Sequence, residues 1–542
     1  MTETVVYRAR KIVTLDPNLP TATHVAVRDG RILAVGGADC AAPWGEVRND
    51  DRFSDAVLTP GFVEGHSHML AGAMWAFAYA GYQDRIDPHG KLWPGLTDID
   101  AVIAGLRSHL ATLAPGEPLV AWGFDPIFLT TERLNRMHLD QVTKDRPIVV
   151  MHSNLHLLTA NSAALALVGY TRETNAEGVA KGADGEPNGE VQEMAAMFPL
   201  LRRLKIDFRA LARTEQGMLN FARTAMRVGV TTATDLFNEL PEEDVAGLLK
   251  VTAADDFPLR VLPALNGITQ IGSAVSDRMA ELAPRSTDKL RFKLVKVMAD
   301  GSIQGYTARL KWPGYITGHP NGIWNMPPAQ LAAQIEGLHA AGVHMHIHVN
   351  GDEASEAALD AIESALSKHP RPDHRHTLQH CQMADEAQFR RMAALGLCVN
   401  LFANHVWYFG DQHYELTMGP DRANRIDACR SALDAGVPLA IHSDAPVTPM
   451  GPLHVAWCAV NRVTPSGRVL GAHQRISVQE ALRAITLGPA YTLGMDDEIG
   501  SIECGKKADF AVLAEDPESV DPMALKDIAV LGTVLGGRVF LV

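Results

Sequence analysis

Residues 58–68 read LTPGFVEGHSH. An apolar run enters a Pro-Gly pair, continues through Phe62 and Val63, and ends at His66 and His68. If the run is a strand, its two-residue period sets both imidazoles on one face. Two neutral nitrogen donors at the C-terminal end of one rigid element make half of a metal site. A surface histidine pair fits the same letters, so the choice rests on the rest of the chain.

Working outward, residues 1–57 read as short strands and turns: VVYRARKIVTLD, HVAVRDG and RILAVG, with Asp29-Gly30 as the hairpin signal. At the other end ADFAVL (508–513) and AVLGTVLGGRVFLV (529–542) are again β-rich. Neither piece is large enough to bury its own face. The expectation is one small β-sandwich domain built from residues 1–57 plus 500–542, with residues 58–499 inserted between them. Residues 69–201 are irregular in texture, with Gly- and Pro-rich loops, a helical stretch near 100–113, a strand at 147–151 and a short helix at 161–167. So long an excursion after the HxH strand predicts a functional insertion or lid.

After residue 211 a rhythm sets in. A helix ends in glycine and a short apolar strand follows at once, in RVGVTTATD (227–235), AGVHMHIH (341–348), LGLCVNL (395–401) and AGVPLAIH (435–442). Glycine just past a helix end is the left-handed cap, and strands this short and apolar belong to a buried parallel sheet. Further strands are expected at 259–264, 292–298 and 376–380, with helices such as 352–368 and 477–486 between them. Alternating β and α over this length, counted with the strand before His66, predicts an α/β protein of eight units, a (β/α)8 TIM barrel. An open doubly wound sheet is the rival, and no GxGxxG follows a strand to support it.

Composition bounds the function. Among 542 residues, 49 Lys and Arg face 63 Asp and Glu, a net charge of −14. That balance argues against nucleic acid as a partner, because phosphate binding needs concentrated positive charge. The six cysteines are scattered with no CxxC, which fits a reducing cytoplasm. The start of the sequence lacks the apolar run of a signal peptide, and no segment approaches a membrane span, so a soluble cytoplasmic protein with no membrane partner is expected.

In a barrel the reacting groups sit at the C-terminal ends of the strands. The first strand ends in His66 and His68; another carries Lys296, followed by Asp300; the next three relevant ends carry His348, His380 and His442-Ser-Asp444. Histidines, a lysine and an aspartate gathered in this way match a hydrolytic, zinc-type site. Lys296 has a plainer reading as an ion-pair partner of Asp300.

Together, TPGFVEGHSH, VKVMADGS, HVNGD, LQH and HSDAP, with GEPNGE (185–190) and the late DFAVL, resemble the amidohydrolase superfamily, in its branch of N-substituted formamide deformylases and YtcJ-like hydrolases. The resemblance spans nearly the whole chain. It implies that His66 and His68 bind the more buried of one or two divalent ions, most simply zinc. It implies further that Lys296 is carbamylated and bridges, that His348 and His380 bind the second ion, and that Asp444 completes the first and handles protons. A lysine ammonium repels a cation, so it becomes a ligand only after gaining a carboxylate. Gln304 and Tyr306, Trp122 and His156, and Trp407 are candidates to face substrate, and His405 is a candidate to polarise the scissile carbonyl. Trp407 with Tyr408 can equally cap the barrel mouth, and Trp122 and His156 can equally pack a lid. His344, His346 and His376 are expected inside the barrel, and His442 either narrows the pocket or touches the metal shell. Cys381 reads as buried filler, since no base–thiol motif surrounds it.

The activity this implies is metal-assisted hydrolysis of a carbon–nitrogen bond in a small molecule, such as an N-substituted formamide, with a homodimer as a family expectation. A mononuclear deaminase, a lactam or ester hydrolase, and a catalytically silent ligand-binding regulator on the same barrel are the alternatives.

Overall fold

The computed structural model describes residues 3–129, 132–176, 178–269 and 272–542, with backbone alone at 193 and 194. It divides into two compact units: residues 1–68, 222–445 and 450–542, and residues 69–221 with 446–449.

The first unit holds an eight-stranded sheet. Its strands are β1 (Phe62–Glu64), β2 (Val230–Asn238), β3 (Arg260–Asn266), β4 (Leu294–Met298), β5 (His344–Val349), β6 (Thr377–His380), β7 (Cys398–Leu401) and β8 (Leu439–Ile441). They neighbour one another in sequence order, and every pairing is parallel. The ends of the sheet meet at the rim, where Ser67 bridges Ala445, His68 N–H donates to Ala445 O at 2.9 Å and Asp444 N–H donates to His66 O at 3.2 Å. This is a TIM-like barrel. Its strands are buried almost throughout because both faces are covered, which explains their unbroken apolar lettering. Gly229, Gly342, Gly396 and Gly436, the four helix-to-strand joins, all take left-handed backbone, where a Cβ would be strained. The helix expected at 352–368 is observed as Asp352–Lys368.

The two ends of the chain meet in one seven-stranded sheet, in the order Arg538–Leu541, Val530–Leu535, Phe510–Leu513, Val47–Pro60, Thr4–Val13, Thr21–Arg28, Arg31–Gly36. The hairpin signal holds: Asp29 and Gly30 both have positive φ between the last two strands, as a type I′ turn requires. Hydrogen bonding joins all seven strands in a single sheet that draws on both ends of the chain, the two pieces expected to share one small β-sandwich. Its strand Val47–Pro60 runs three residues past the expected boundary and enters β1 through Gly61. A Cβ at Gly61 would lie 2.1 Å from Thr231 Oγ1, so only glycine lets the chain turn so close to β2. Arg260 of β3, fully buried, donates to Asp509 Oδ2 at 2.6 Å and to Thr232 Oγ1 at 3.0 Å, tying the barrel to the strand that begins at Phe510.

The second unit is more ordered than its lettering suggested. It has a six-stranded sheet in the order Val179–Lys181, Pro187–Gln192, Leu157–Ala160, Ile148–His152, Leu119–Phe124, Ala78–Tyr79, and a core of its own that includes Trp122, Val149, Met151, Leu158 and Leu200. Several of these strands are only two to four residues long, too short to leave a period of two in the sequence. Among the described residues no helix is long and apolar enough to cross a membrane.

Candidate metal centre

β1 ends at Glu64, two residues before the first histidine of the pair. Glu64, itself buried, accepts Ser443 Oγ–H at 2.8 Å and Ser443 N–H at 3.1 Å, so the segment after β1 is pinned to the segment after β8. That pinning brings His66 Nε2 to 3.3 Å and His68 Nε2 to 3.2 Å from the same Asp444 oxygen, Oδ1. Asp444 is held there with φ at 52°, a left-handed conformation rare outside glycine and typical of functional corners.

The opposite edge of each imidazole fixes where its proton sits. His66 Nδ1–H donates to Gln379 Oε1 at 2.7 Å, and His68 Nδ1–H donates to the Leu236 carbonyl at 2.9 Å. Both Nε2 atoms are therefore bare lone pairs. In these neutral tautomers two nitrogen lone pairs lie 3.3 Å and 3.2 Å from one carboxylate oxygen, with no proton between them. Such a cluster repels itself until a cation stands between its members. Bonds of about 2.0–2.1 Å in a tetrahedral shell set ligand atoms about 3.3 Å apart, which is the spacing of each nitrogen from Asp444 Oδ1. His66, His68 and Asp444 form one group able to share an ion, and His66, His380 and His442 form a second.

His380 closes β6 with φ at 70°, followed by Cys381 at 45°. Two left-handed residues in succession break the strand alternation and turn the His380 ring toward the cluster, with its centroid 4.4 Å from that of His66 and 4.5 Å from that of His348. His380 Nε2 is buried with no hydrogen-bond partner among the described residues. His348 donates Nε2–H to the Gly301 carbonyl at 3.1 Å, which leaves Nδ1 as its unprotonated nitrogen. Burial, with the neighbouring Lys296 and His380, holds His66 well below the ordinary histidine value, and burial with His348 and His442 does the same to His380. Both are neutral, as ligands must be. Burial works to raise the Asp444 carboxyl, but its contact with His68 and its neighbours His442 and Lys296 outweigh that and hold it below the ordinary aspartate value.

Lys296, on β4, has its Nζ fully buried and without a hydrogen-bond partner among the described residues. The plainer reading of this lysine fails: Asp300 spends its carboxylate on the backbone N–H groups of Asn350, Gly351 and Arg309, each at 2.9 Å. Burial pulls the Lys296 amine down to about 7, so a large neutral fraction exists near neutral pH. An uncapped buried amine beside a nest of bare acceptors suits a divalent ion only once the amine carries a carboxylate. The donor set therefore fits the metal implied by the sequence.

A family model described as "Amidohydrolase family" matches residues 54–541. The chain belongs to the amidohydrolase family. Over 541 residues this amidohydrolase is 28% identical to the N-substituted formamide deformylase of Arthrobacter pascens, covering 97% of this chain and 96% of that one. It is 26% identical to the putative amidohydrolase YtcJ of Bacillus subtilis over 535 residues, covering 95% of both. In fold it is similar to an uncharacterized metal-dependent hydrolase from Pyrococcus horikoshii, with a TM-score of 0.72, 18% identity, and coverage of 96% and 99%. The amidohydrolase is thus a metal-dependent hydrolase of carbon–nitrogen bonds.

The remaining candidates divide. His405, at the start of the helix His405–Gln412, is brought in: its ring lies 4.2 Å from that of Phe402, which stacks on His442 at 4.8 Å. His405 Nε2 is buried without a partner among the described residues, while its Nδ1 meets His413 Nε2 at 3.1 Å. Gln304 is buried with Oε1 likewise unpartnered. Tyr306 stacks on His319 at 3.8 Å and lies edge-on to Tyr315 at 5.2 Å. Trp407 lies edge-on to Trp457 at 5.3 Å. Trp122 and His156 belong to the second unit. There Trp122 is buried in Leu119–Phe124, with the Arg85 guanidinium over its ring at 5.3 Å, and His156 follows the Asn154 turn, its N–H bonded to Asn154 Oδ1 at 2.9 Å.

Sequence reasoning missed the residues that orient these side chains in this amidohydrolase: Gln379, Asn400, Glu64 and the Gly301 carbonyl. Gln379 and Asn400 are amides inside otherwise apolar strands, an anomaly visible in LQH and CVNL had it been pursued.

Proposed function

We propose that this amidohydrolase hydrolyses a small N-substituted formamide or a closely related amide at a centre of one or two zinc ions. The observation that carries the reading is the convergence of His66 Nε2, His68 Nε2 and Asp444 Oδ1 as three bare acceptors. The full-length similarity to an N-substituted formamide deformylase supports the substrate class. His66, His68 and Asp444 would hold one ion, His348 and His380 the other, with carbamylated Lys296 between them. When bound, such an ion supplies Lewis acidity and makes water acidic enough to react near neutral pH.

The chain's own groups do the rest. Ionised Asp444 takes the proton of the attacking water as oxygen bonds to the carbonyl carbon. The carbon–nitrogen bond then breaks, and Asp444 returns that proton to the departing amine nitrogen, so formic acid and a free amine leave, the acid passing its remaining proton to the amine or to solvent. His405 Nε2–H donates to the carbonyl oxygen as charge builds there, provided that His413 donates to His405 Nδ1. Nitrogen and oxygen donors of this kind suit zinc.

The test is a panel of N-substituted formamides, lactams and esters, with release of amine, ammonia and acid measured on protein prepared without chelator. Formamide turnover that vanishes with chelator and returns with zinc is expected. Asp444→Asn should cut turnover by orders of magnitude in protein that still folds. Ammonia release from an amino-substituted ring would favour a deaminase, and binding without turnover across the panel would favour a silent regulator. Size-exclusion chromatography with light scattering tests the homodimer, and fractionation of the source cells tests a cytoplasmic location.

A further inference from the structure

We infer that His442 is a positioning residue, the last link of a hydrogen-bond relay that starts at the Thr492 carbonyl and leaves His380 Nε2 bare. The inference rests on the metal-centre reading above and deepens it. His442 is close enough to His66 and His380 to be taken for a third ligand. The relay says otherwise.

A backbone carbonyl can only accept. Thr492 O, in the helix Leu487–Thr492, lies 3.1 Å from His346 Nε2, so that nitrogen carries the proton and His346 Nδ1 does not. Gln379 Nε2, 2.8 Å from His346 Nδ1, must therefore be the amide nitrogen, donating. That orientation aims Gln379 Oε1 at both His66 Nδ1, at 2.7 Å, and Asn400 Nδ2, at 3.0 Å, and it accepts from each. Asn400 then presents its own oxygen to His442 Nδ1 at 3.1 Å, so His442 is protonated there. His442 Nε2 is left as an acceptor, 3.1 Å from His380 Nδ1, and takes that proton's hydrogen bond.

The relay passes through β5, β6, β7 and the end of β8, and every member side chain is buried. Its polarity has no neutral alternative. Flipping Gln379 would set its oxygen against His346 Nδ1 and force a second proton onto a buried ring. Both nitrogens of His442 are thus engaged, one donating to Asn400 and one accepting from His380. The ring steers a ligand without being one.

The test is zinc titration of the metal-free protein against a chromophoric chelator, for the unaltered chain and for His442→Ala, His442→Gln and Asn400→Leu. His442→Ala should bind the same number of zinc equivalents, with the dissociation constant of one raised by about 10–100-fold. His442→Gln, whose amide oxygen can accept from His380 Nδ1, should recover most of that affinity. Asn400→Leu, which touches His380 only through His442, should weaken the same equivalent. Loss of one whole equivalent in both His442 variants would make His442 a ligand and overturn the inference. So would unchanged affinity in all three variants, while leaving the metal-centre reading intact. An unaltered chain that binds no zinc overturns both.

Discussion

Gln379 Oε1 receives the Nδ1–H of His66 at 2.7 Å across 313 residues of sequence. One uncharged amide therefore decides which nitrogen of the first histidine is offered to a cation. Gln379→Met keeps the volume and removes the acceptor. It strands the buried donors of His66 and Asn400, each costing on the order of 1–3 kcal/mol. The expected result is a lower urea midpoint for the metal-free protein as well as weaker zinc uptake, read by urea titration with and without chelator.

Lys296 is the second point of leverage. Lys296→Ala should drop zinc content below that of the unaltered chain and reduce turnover by orders of magnitude. The space it opens lies beside bare acceptors, so added acetate or formate should restore part of the rate. Normal metal content and rate in this variant would remove the lysine from the centre and favour a mononuclear site.

Acid should unfold this protein early. His376 is buried, its Nε2–H bonded to His339 Nδ1 at 2.9 Å and its Nδ1 accepting the Met345 N–H at 3.3 Å, and burial with the neighbouring His374 and His344 holds it well below the ordinary 6.5. The unfolded chain therefore binds a proton near pH 6.5 that the folded chain refuses. Stability from this group is complete above that pH and is lost as pH falls below it. His376→Gln should flatten the decline by about 1.4 kcal/mol per pH unit, seen in urea midpoints between about pH 5 and 7.

The Arg260–Asp509 pair supplies a test far from the chemistry. Asp509→Ala leaves a fully buried guanidinium with only the more distant Asp288 carboxylate at 3.7 Å, a loss of up to about 3–5 kcal/mol. Thermal unfolding should show it, while the zinc stoichiometry of protein that remains folded should be unchanged.

The barrel could be read from the sequence because its signals are local. Gly229, Gly342, Gly396 and Gly436 each mark a left-handed cap, and each is followed by a strand buried on both faces. That His66, His68, His348, His380 and Asp444 would gather at one rim was legible for a related reason, since strand ends are where a barrel exposes side chains. What stayed hidden depends on backbone that departs from the regular period. His380, Cys381 and Asp444 all have positive φ, so counting by twos from Thr377 or Leu439 does not give the direction of their side chains. The relay was out of reach because its members are tens to hundreds of residues apart, and hydrogen-bond polarity belongs to the assembled core. The second unit was read as irregular because its shortest strands, such as Ala78–Tyr79, find partners only through tertiary pairing.

The outward nitrogens of His66, His68 and His348 are bonded to protein acceptors on fixed strands and loops. The rings are consequently aimed before any ion arrives, and loading the socket freezes out little side-chain motion. A metal-free sample should keep the same ring orientations and refill without refolding. Which divalent ion occupies the protein in a cell would then follow from local supply and ligand softness, since the chain does not have to fold around its guest.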